Sequence, residues 1–391
     1  MSVLLSGLGK ALGSVFGAGF VANGLSREVV FGRIDPRVPA AHFSWADLNE
    51  VLSRGWVEPA EFKLASGGRV LPEHLYTTTA GGGHRVLDLR RVDELVRDGA
   101  SLLIDSLDRV HPGIRRATDD VMRLVGETAS CNLFVTFGHS QAFTSHYDEV
   151  DTFVVQVLGT KSWQVHGPSE DFPLPEYGDS DPARCPEEVL FDKVLEPGDV
   201  IHVPRGWWHT VRGGGGASLH LTFAFTRRTG VDWLRWVVTQ LLPEADVRES
   251  LARAGTAEQK RAQAQRLVRA FTEKSSELSL DDFFAAEHRH AGGRDLASLP
   301  WTARDEHPPA TAVVELATVL PPVLEVAGDQ VVFTAFGQVI GVPGRFRTAC
   351  EHLVRERRLT VGELAERSGT PVAETGALVA ALLRTRLVTV S

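Results

Sequence analysis

The sequence predicts a mainly β protein with α-helical additions: an antiparallel β sandwich or barrel mid-chain, a helical region after it, and a small C-terminal domain of helices and short strands. Three observations carry this. Between residues 131 and 228, short apolar runs alternate with turns marked by glycine and proline, the rhythm of many short antiparallel strands. Residues 229–290 switch to helical spacing of their apolar positions. Beyond residue 301 the order is short strands, helix, capped helix, helix and a last strand, a winged-helix pattern. The implied domains are 1–228, 229–300 and 301–391.

Taken in order, the apolar run Ala11 to Ala22 is too short and glycine-rich to span a bilayer and lacks a clean cleavage site. It reads as a helix or loop packed on the main body, so the expected compartment is cytoplasmic. Ser44, with Asp47 three positions on and apolar residues at 45, 48, 51 and 52, predicts a capped helix. Gly81–Gly83 is a loop or hairpin tip, Val92–Val96 a short helix, and Ala100–Ile104 a strand. Ile114, Val121, Leu124 and Val125 mark a helix that lies against the following barrel. Strands are expected at Asn132–Phe137, Thr152–Leu158, Lys161–Val165, Val200–Val203 and Ala217–Thr226, with Gly159-Thr160 as a hairpin turn and Gly213–Gly216 as a hairpin tip. The polar stretch 168–188 is a candidate lid or substrate loop.

Downstream, Val231 to Leu242 and Glu258 to Phe271 predict two helices. Their apolar faces suit either a dimer surface or packing within the chain. A linker follows at 292–309. Strands are then expected within 323–342, with helices at 346–355, from Thr360, and at 372–383, and a last strand at 387–390. The helix at 372–383 carries no Arg or Lys before Arg384, so direct DNA reading is not expected.

Composition bounds the function without naming it. The 391 residues are 43% hydrophobic and 23% charged, enough for a large core. A net charge of −9 argues against a surface that coats nucleic acid. The three cysteines are too few and too scattered for a disulfide framework or a cysteine-rich zinc site, and fit a reducing compartment.

Chemistry concentrates at His146, Asp148 and His209. The first two stand two positions apart in T-S-H-Y-D, so on a strand both project to one face. His209 ends P-G-D-V-I-H-V-P-R-G-W-W-H, where glycines and proline turn a strand so that the imidazole returns to the same place. A lone histidine is ordinarily a satisfied surface or core residue; two motifs in order on predicted strands point to a metal site. Two imidazoles and a carboxylate with open positions suit Fe(II), and a hydrolytic zinc site takes the same ligands. A cation for a co-substrate's far carboxylate separates the two, and Lys161 stands where it can supply one. Tyr147 is expected to pack, and Trp207 and Trp208 to line the mouth or join the core.

The runs H-Y-D-E-V-D-T-F-V-V-Q-V-L-G-T-K-S-W (146–163) and L-E-P-G-D-V-I-H-V-P-R-G-W-W-H (195–209) resemble the JmjC-type cupin oxygenases, specifically their ribosomal-oxygenase branch. The resemblance covers residues 30–228 and extends to the order of the later domains. It implies a double-stranded β-helix, the cupin/JmjC jelly roll, followed by a helical dimerisation-type region and a winged-helix-like domain. By this resemblance His146, Asp148 and His209 bind Fe(II), and Lys161 pairs with the 5-carboxylate of 2-oxoglutarate. Asn132 falls at a polar contact to the co-substrate, and Thr222 is a further candidate for that pocket. The implied reaction consumes O2 and 2-oxoglutarate and hydroxylates a C–H bond. A protein or peptide side chain, a ribosomal protein among them, is the preferred substrate. A small natural product or amino acid is the alternative, and a silent metal- or ligand-binding regulatory cupin the second. No membrane partner is expected, and a homodimer stays open beside packing of the two helices within the chain. The segment Ser26–Phe31 and the loop 168–188 depart from the branch pattern, which leaves the substrate open.

Overall fold

A computed structural model of the chain describes residues 7–54, 61–81, 83–174, 181–290, 292–294, 296–303 and 306–391. Its two compact units divide between Arg227 and Arg228.

The first unit opens with helices α1 (Gly7–Val15) and α2 (Ala18–Asn23). Leu8, Leu12 and Phe16 are fully buried, and Phe16 stacks on Phe153 at 4.4 Å between ring centres. The apolar N-terminal run is therefore core, as its glycine content and length imply. Next come β1 (Val30–Arg33), the short α3 (Arg37–Ala40) and α4 (Trp45–Ser53). Ser44 and Asp47 close a capping box at the start of α4, satisfying amide groups that the helix itself leaves open. β2 (Phe62–Ser66) and β3 (Arg69–Val70) precede the hairpin of β4 (Thr77–Thr79) and β5 (Arg85–Leu87). That hairpin holds the expected glycine tip, of which Gly82 lies outside the described residues. Helix α5 (Leu89–Arg97), strand β6 (Ser101–Ile104), α6 (Leu107–Val110) and α7 (Pro112–Val125) complete the lead-in. Pro112 starts α7, where its missing N–H costs nothing, and Gly126 ends it at φ 76°.

Seven strands follow: β7 (Ala129–Thr136), β8 (Asp151–Leu158), β9 (Lys161–Pro168), β10 (Val189–Leu195), β11 (Asp199–Val203), β12 (Trp207–Gly213) and β13 (Ser218–Phe225). They form two sheets. One runs β1-β11-β8-β13-β7-β6-β2-β3 and the other β10-β9-β12. This corrects two hairpin expectations. β8 pairs with β11 and β13, while β9 pairs with β10 and β12, so Gly159-Thr160 carries the chain from one sheet to the other. Gly213–Gly216 makes the same crossing between β12 and β13. Sequence periodicity marks strands and turns but not which strands pair. Gly159 sits at φ 62°, and a Cβ there would stand 2.1 Å from the Ala217 carbonyl oxygen, so this corner admits only glycine. Continuously buried β8 lies under cover on both faces, as its unbroken apolar run implies.

The second unit begins with α8 (Gly230–Gln240), capped by Thr229 and Asp232, then α9 (Ala245–Arg248), α10 (Ala257–Glu277) and α11 (Leu280–His290). Helix α10 runs longer than expected, and α11 went unread within the helical region. Of the linker 292–309, residues 295, 304 and 305 lie outside the described residues. Strand β14 (Val313–Leu316) was also unread; β15 (Val323–Ala327), β16 (Gln330–Ala335) and β17 (Gln338–Pro343) form one sheet. After α12 (Arg347–Glu356), β18 (Arg358–Thr360), α13 (Val361–Ser368) and α14 (Val372–Arg384), β19 (Val388–Val390) pairs with β14 in the order β18-β14-β19. This unit has its own core, centred on Val314, Phe333, Leu353, Leu364 and Val379.

Candidate metal centre

His146 meets His209 of β12 at an isolated antiparallel bridge and lies in no regular strand itself, which corrects the placing of T-S-H-Y-D on one. The bridge is made of backbone. His209 N–H donates to the His146 carbonyl at 2.7 Å, and His146 N–H to the His209 carbonyl at 3.2 Å. Two residues on, Gly206 N–H donates to the Asp148 carbonyl at 2.8 Å. Main-chain hydrogen bonds thus set the spacing of all three side chains.

The ligand atoms of His146, Asp148 and His209 lie within 4.8 Å of one another. His146 Nδ1 lies 2.8 Å from the Thr144 carbonyl and His209 Nδ1 lies 3.2 Å from the Trp207 carbonyl. A carbonyl only accepts, so each Nδ1 carries the proton and each Nε2 is left as a lone-pair donor, the usual outer-shell arrangement of a metal-bound histidine. His209 Nε2 and Asp148 Oδ2 face each other at 3.8 Å. They do not form an ion pair at neutral pH, because burial, then His146, bring the His209 pKa down to about 4. A neutral imidazole is the form that binds a metal. The donor set fits a divalent iron or zinc held by one face.

The three ligands line a cavity of about 300 Å³. Lys161 also lines it and is 1% exposed. Because Gly159-Thr160 turns between sheets, this lysine starts β9 with its ammonium inside. Nζ donates to the Phe134 carbonyl at 3.1 Å and meets His220 Nδ1 at 2.9 Å. Neither partner is a carboxylate, and burial lowers the Lys161 pKa to about 7. A buried cation without a counter-ion fits a site that receives an anionic ligand.

Thr222 lines the same cavity, as expected. Asn132 does not: its Oδ1 accepts the Ser106 backbone N–H at 3.0 Å, and it stands outside the cavity lining. Ser106 adopts φ 53° at the start of α6, and Asn132 spends its acceptor on that turn. Tyr147 packs edge-on against Trp208, which is fully buried and donates to Ser169 Oγ; Trp207 packs on the cluster that holds Val154 and Ile201, and neither tryptophan is in the cavity lining. Sequence reasoning missed His220, Trp163 and the ion pair of Lys63 with Asp105, all of which line the cavity. The signal for His220 was present in S-L-H-L-T: polar residues at i and i+2 of an otherwise apolar strand share one face. The candidate loop 168–188 includes residues 175–180, which lie outside the described residues.

Residues 109–232 match the family described as JmjC domain. Rat ribosomal oxygenase 1 is 33% identical over 162 residues, covering 40% of this chain and 27% of its own. Chicken ribosomal oxygenase 1 is 30% identical over 224 residues, 54% of this chain and 35% of its own. The bifunctional lysine-specific demethylase and histidyl-hydroxylase NO66 of Drosophila persimilis is 35% identical over 94 residues, 24% and 14% of the two chains. The chain spans about a third or less of the length of these curated relatives. Among solved structures, the Escherichia coli ribosomal oxygenase YcfD shares the fold with TM-score 0.55 and 17% identity, covering 100% of both chains. The same protein in complex with cobalt and 2-oxoglutarate superposes with TM-score 0.54 and 17% identity, over 95% of this chain and 97% of that one.

Proposed function

We propose that this chain, a ribosomal-oxygenase-like JmjC cupin, is an Fe(II)- and 2-oxoglutarate-dependent oxygenase that hydroxylates a C–H bond of a protein or peptide side chain. One observation carries the reading: Lys161, a buried amine with no counter-ion among the described residues, opens into the same cavity as a His-x-Asp…His ligand set. A hydrolytic zinc site has no use for that cation. The JmjC match over residues 109–232 and the relatives described as ribosomal oxygenases support the same chemistry.

In this reading His146, Asp148 and His209 hold the metal from one side and leave the other to ligands. Lys161 takes the far carboxylate of 2-oxoglutarate. Phe134, Val154, Trp163 and Val211 wall the cavity with apolar surface and keep water from the reacting centre. Bound Fe(II) supplies the redox chemistry: O2 and 2-oxoglutarate give succinate and CO2 as one oxygen atom enters the substrate C–H bond. A protein substrate is favoured because relatives are described as ribosomal oxygenases and histidyl-hydroxylases. The exposed Leu234 and Val238, four residues apart on α8, and Leu242 in the turn after it suit a self-association surface. The helices and short strands after residue 301 suit a winged-helix-like domain that contacts protein rather than DNA. No helix of the described residues is long and apolar enough to cross a membrane, and free cysteines suit a cytoplasmic setting.

The test is succinate formation from 2-oxoglutarate by the purified protein with Fe(II) and O2, beside Asp148→Ala. Turnover in the parent that vanishes in the variant is expected. No turnover, with no 2-oxoglutarate binding to the metal-loaded protein, overturns the reading in favour of a silent binding cupin.

A further inference from the structure

We propose that His220 binds the distal carboxylate of the co-substrate directly, as a second hydrogen-bond donor beside Lys161. The inference rests on the oxygenase reading and adds a residue to its anion site. It begins with a shortage of donors. An ammonium has three N–H groups. Two of those on Lys161 are engaged by the Phe134 carbonyl and by His220 Nδ1, so one remains for a ligand. A carboxylate has two oxygens, and one point contact leaves it free to swivel.

His220 supplies what is missing. Its Nδ1 accepts from Lys161, so the neutral ring carries its proton on Nε2. Nε2 has no protein partner among the described residues, although the residue is only 3% exposed and lines the cavity. A buried histidine with a purely structural role has both ring nitrogens satisfied; this one has a donor to spare. The ring is also held in plane. It stacks on Phe134 at 4.9 Å and 17°, and Trp163 meets it edge-on at 5.5 Å. Trp163 in turn stacks on the metal ligand His209 at 5.8 Å, so one aromatic wall links both ends of the ligand's path. On β13, Thr222 stands two residues beyond His220 and lines the same cavity, adding a hydroxyl on the same strand face. Lys161, His220 and Thr222 together make a three-donor cradle for a carboxylate. The ligand class is a 2-oxo acid with a second carboxylate, held by the metal at one end and by this cradle at the other.

The experiment measures binding, not turnover. Protein loaded with Mn(II) without O2 is titrated with 2-oxoglutarate and with 2-oxopentanoate, which has the same chain length and no distal carboxylate. His220→Phe keeps an aromatic ring and removes both nitrogens. It is expected to weaken 2-oxoglutarate by roughly tenfold to a hundredfold, the range for one hydrogen bond to a charged group. It should leave 2-oxopentanoate and Mn(II) affinity unchanged. His220→Gln, which both donates and accepts, should recover most of the loss. To separate a direct contact from an effect through the lysine, His220→Phe is repeated in Lys161→Ala, where a loss must persist. Equal 2-oxoglutarate affinity in parent and His220→Phe overturns the proposal. So does an equal loss of both ligands, or a loss that disappears in Lys161→Ala. If the Mn(II)-loaded parent binds no 2-oxoglutarate at all, the oxygenase reading itself fails.

Discussion

The two ends of the cavity are built on opposite principles. At the metal end the ligands stand partly in the open: the Asp148 side chain is 45% exposed, and His146 is half-buried. Their positions come from main-chain hydrogen bonds across the His146–His209 bridge and from Gly206 to Asp148. At the anion end Lys161 and His220 are sealed between the sheets, held by each other, by the Phe134 carbonyl and by the rings of Phe134 and Trp163. Asp148 and His146 keep access to water and the buried His209 is a neutral imidazole, so this set costs little to keep without its ion. A buried ammonium without a carboxylate is a standing cost that a bound anion removes. The metal end is thus partly open to solvent, whereas the anion end is closed around Lys161 and His220.

This contrast can be broken by substitution. The largest effect is expected from His146→Ala, which removes a metal ligand but leaves the backbone bridge. Mn(II) affinity, read by electron paramagnetic resonance, should fall more than about a hundredfold, since even outer-shell changes cost ten- to a hundredfold. The metal-free melting temperature should move by no more than about 4 °C, the scale of a 1 kcal/mol change in a large domain. A collapse of the metal-free fold would mean that side chains, not backbone, hold this end.

Lys161→Met should do the reverse. Co-substrate affinity in the Mn(II)-loaded protein should drop by roughly a hundredfold, in line with the loss of a buried charged partner. The ligand-free protein should melt higher than the parent. The sign follows from the lowered pKa of about 7. The unfolded lysine holds its proton up to its ordinary range near 10.5, so between those values the unfolded state binds more protons and stability rises with pH. The cost of burial is therefore greatest below pH 7, and the gain on Lys161→Met should be largest there. A variant that melts lower at pH 6 would show that the ammonium is stabilising after all.

A smaller effect sharpens the same contrast. Above pH 7 the empty site holds a neutral lysine, and a dicarboxylate must bring a proton with it. Affinity for 2-oxoglutarate should then weaken by up to roughly tenfold per pH unit above 7, with one proton taken up per ligand bound. Calorimetry in buffers of different ionisation enthalpy counts that proton. An affinity that is flat between pH 7 and pH 9 would contradict a lysine that deprotonates in the empty site.

The smallest effect belongs to Lys63 and Asp105, a pair of which each side chain is about one third exposed. Asp105→Asn should change stability by less than about 1 kcal/mol, because water already screens the pair. Co-substrate affinity should not change. A loss of 2-oxoglutarate binding in this variant would extend the anion end farther along the cavity than Lys161 and His220.

The candidate metal ligands could be singled out because their spacing is a local property. The i, i+2 spacing of His146 and Asp148, and the glycine–proline turn before His209, survive any error about strand pairing. Two helix starts were legible for a like reason: Ser44 with Asp47 and Thr360 with Glu363 each satisfy amide groups within one turn. The hairpin reading at Gly159-Thr160 failed because a tight turn between apolar strands looks the same whether the chain folds back or crosses to a second sheet. For Asn132 the sequence placed the strand but not the surroundings: it stands opposite Thr222 on the neighbouring strand, and the Ser106 turn, distant in sequence, engages its Oδ1 while the Nδ2 donors are not part of that bond.

By itself, then, the sequence determined which residues can hold a metal, where the β-rich unit gives way to helices, and that Lys161 was worth watching. Those are consequences of short-range spacing, apolar periodicity and turn chemistry, which act over a few residues. Only the tertiary structure decided that Lys161 is buried without a counter-ion among the described residues and that His220 joins it. Those outcomes depend on which strands pair across the two sheets, and pairing is fixed by burying apolar faces from distant parts of the chain against one another.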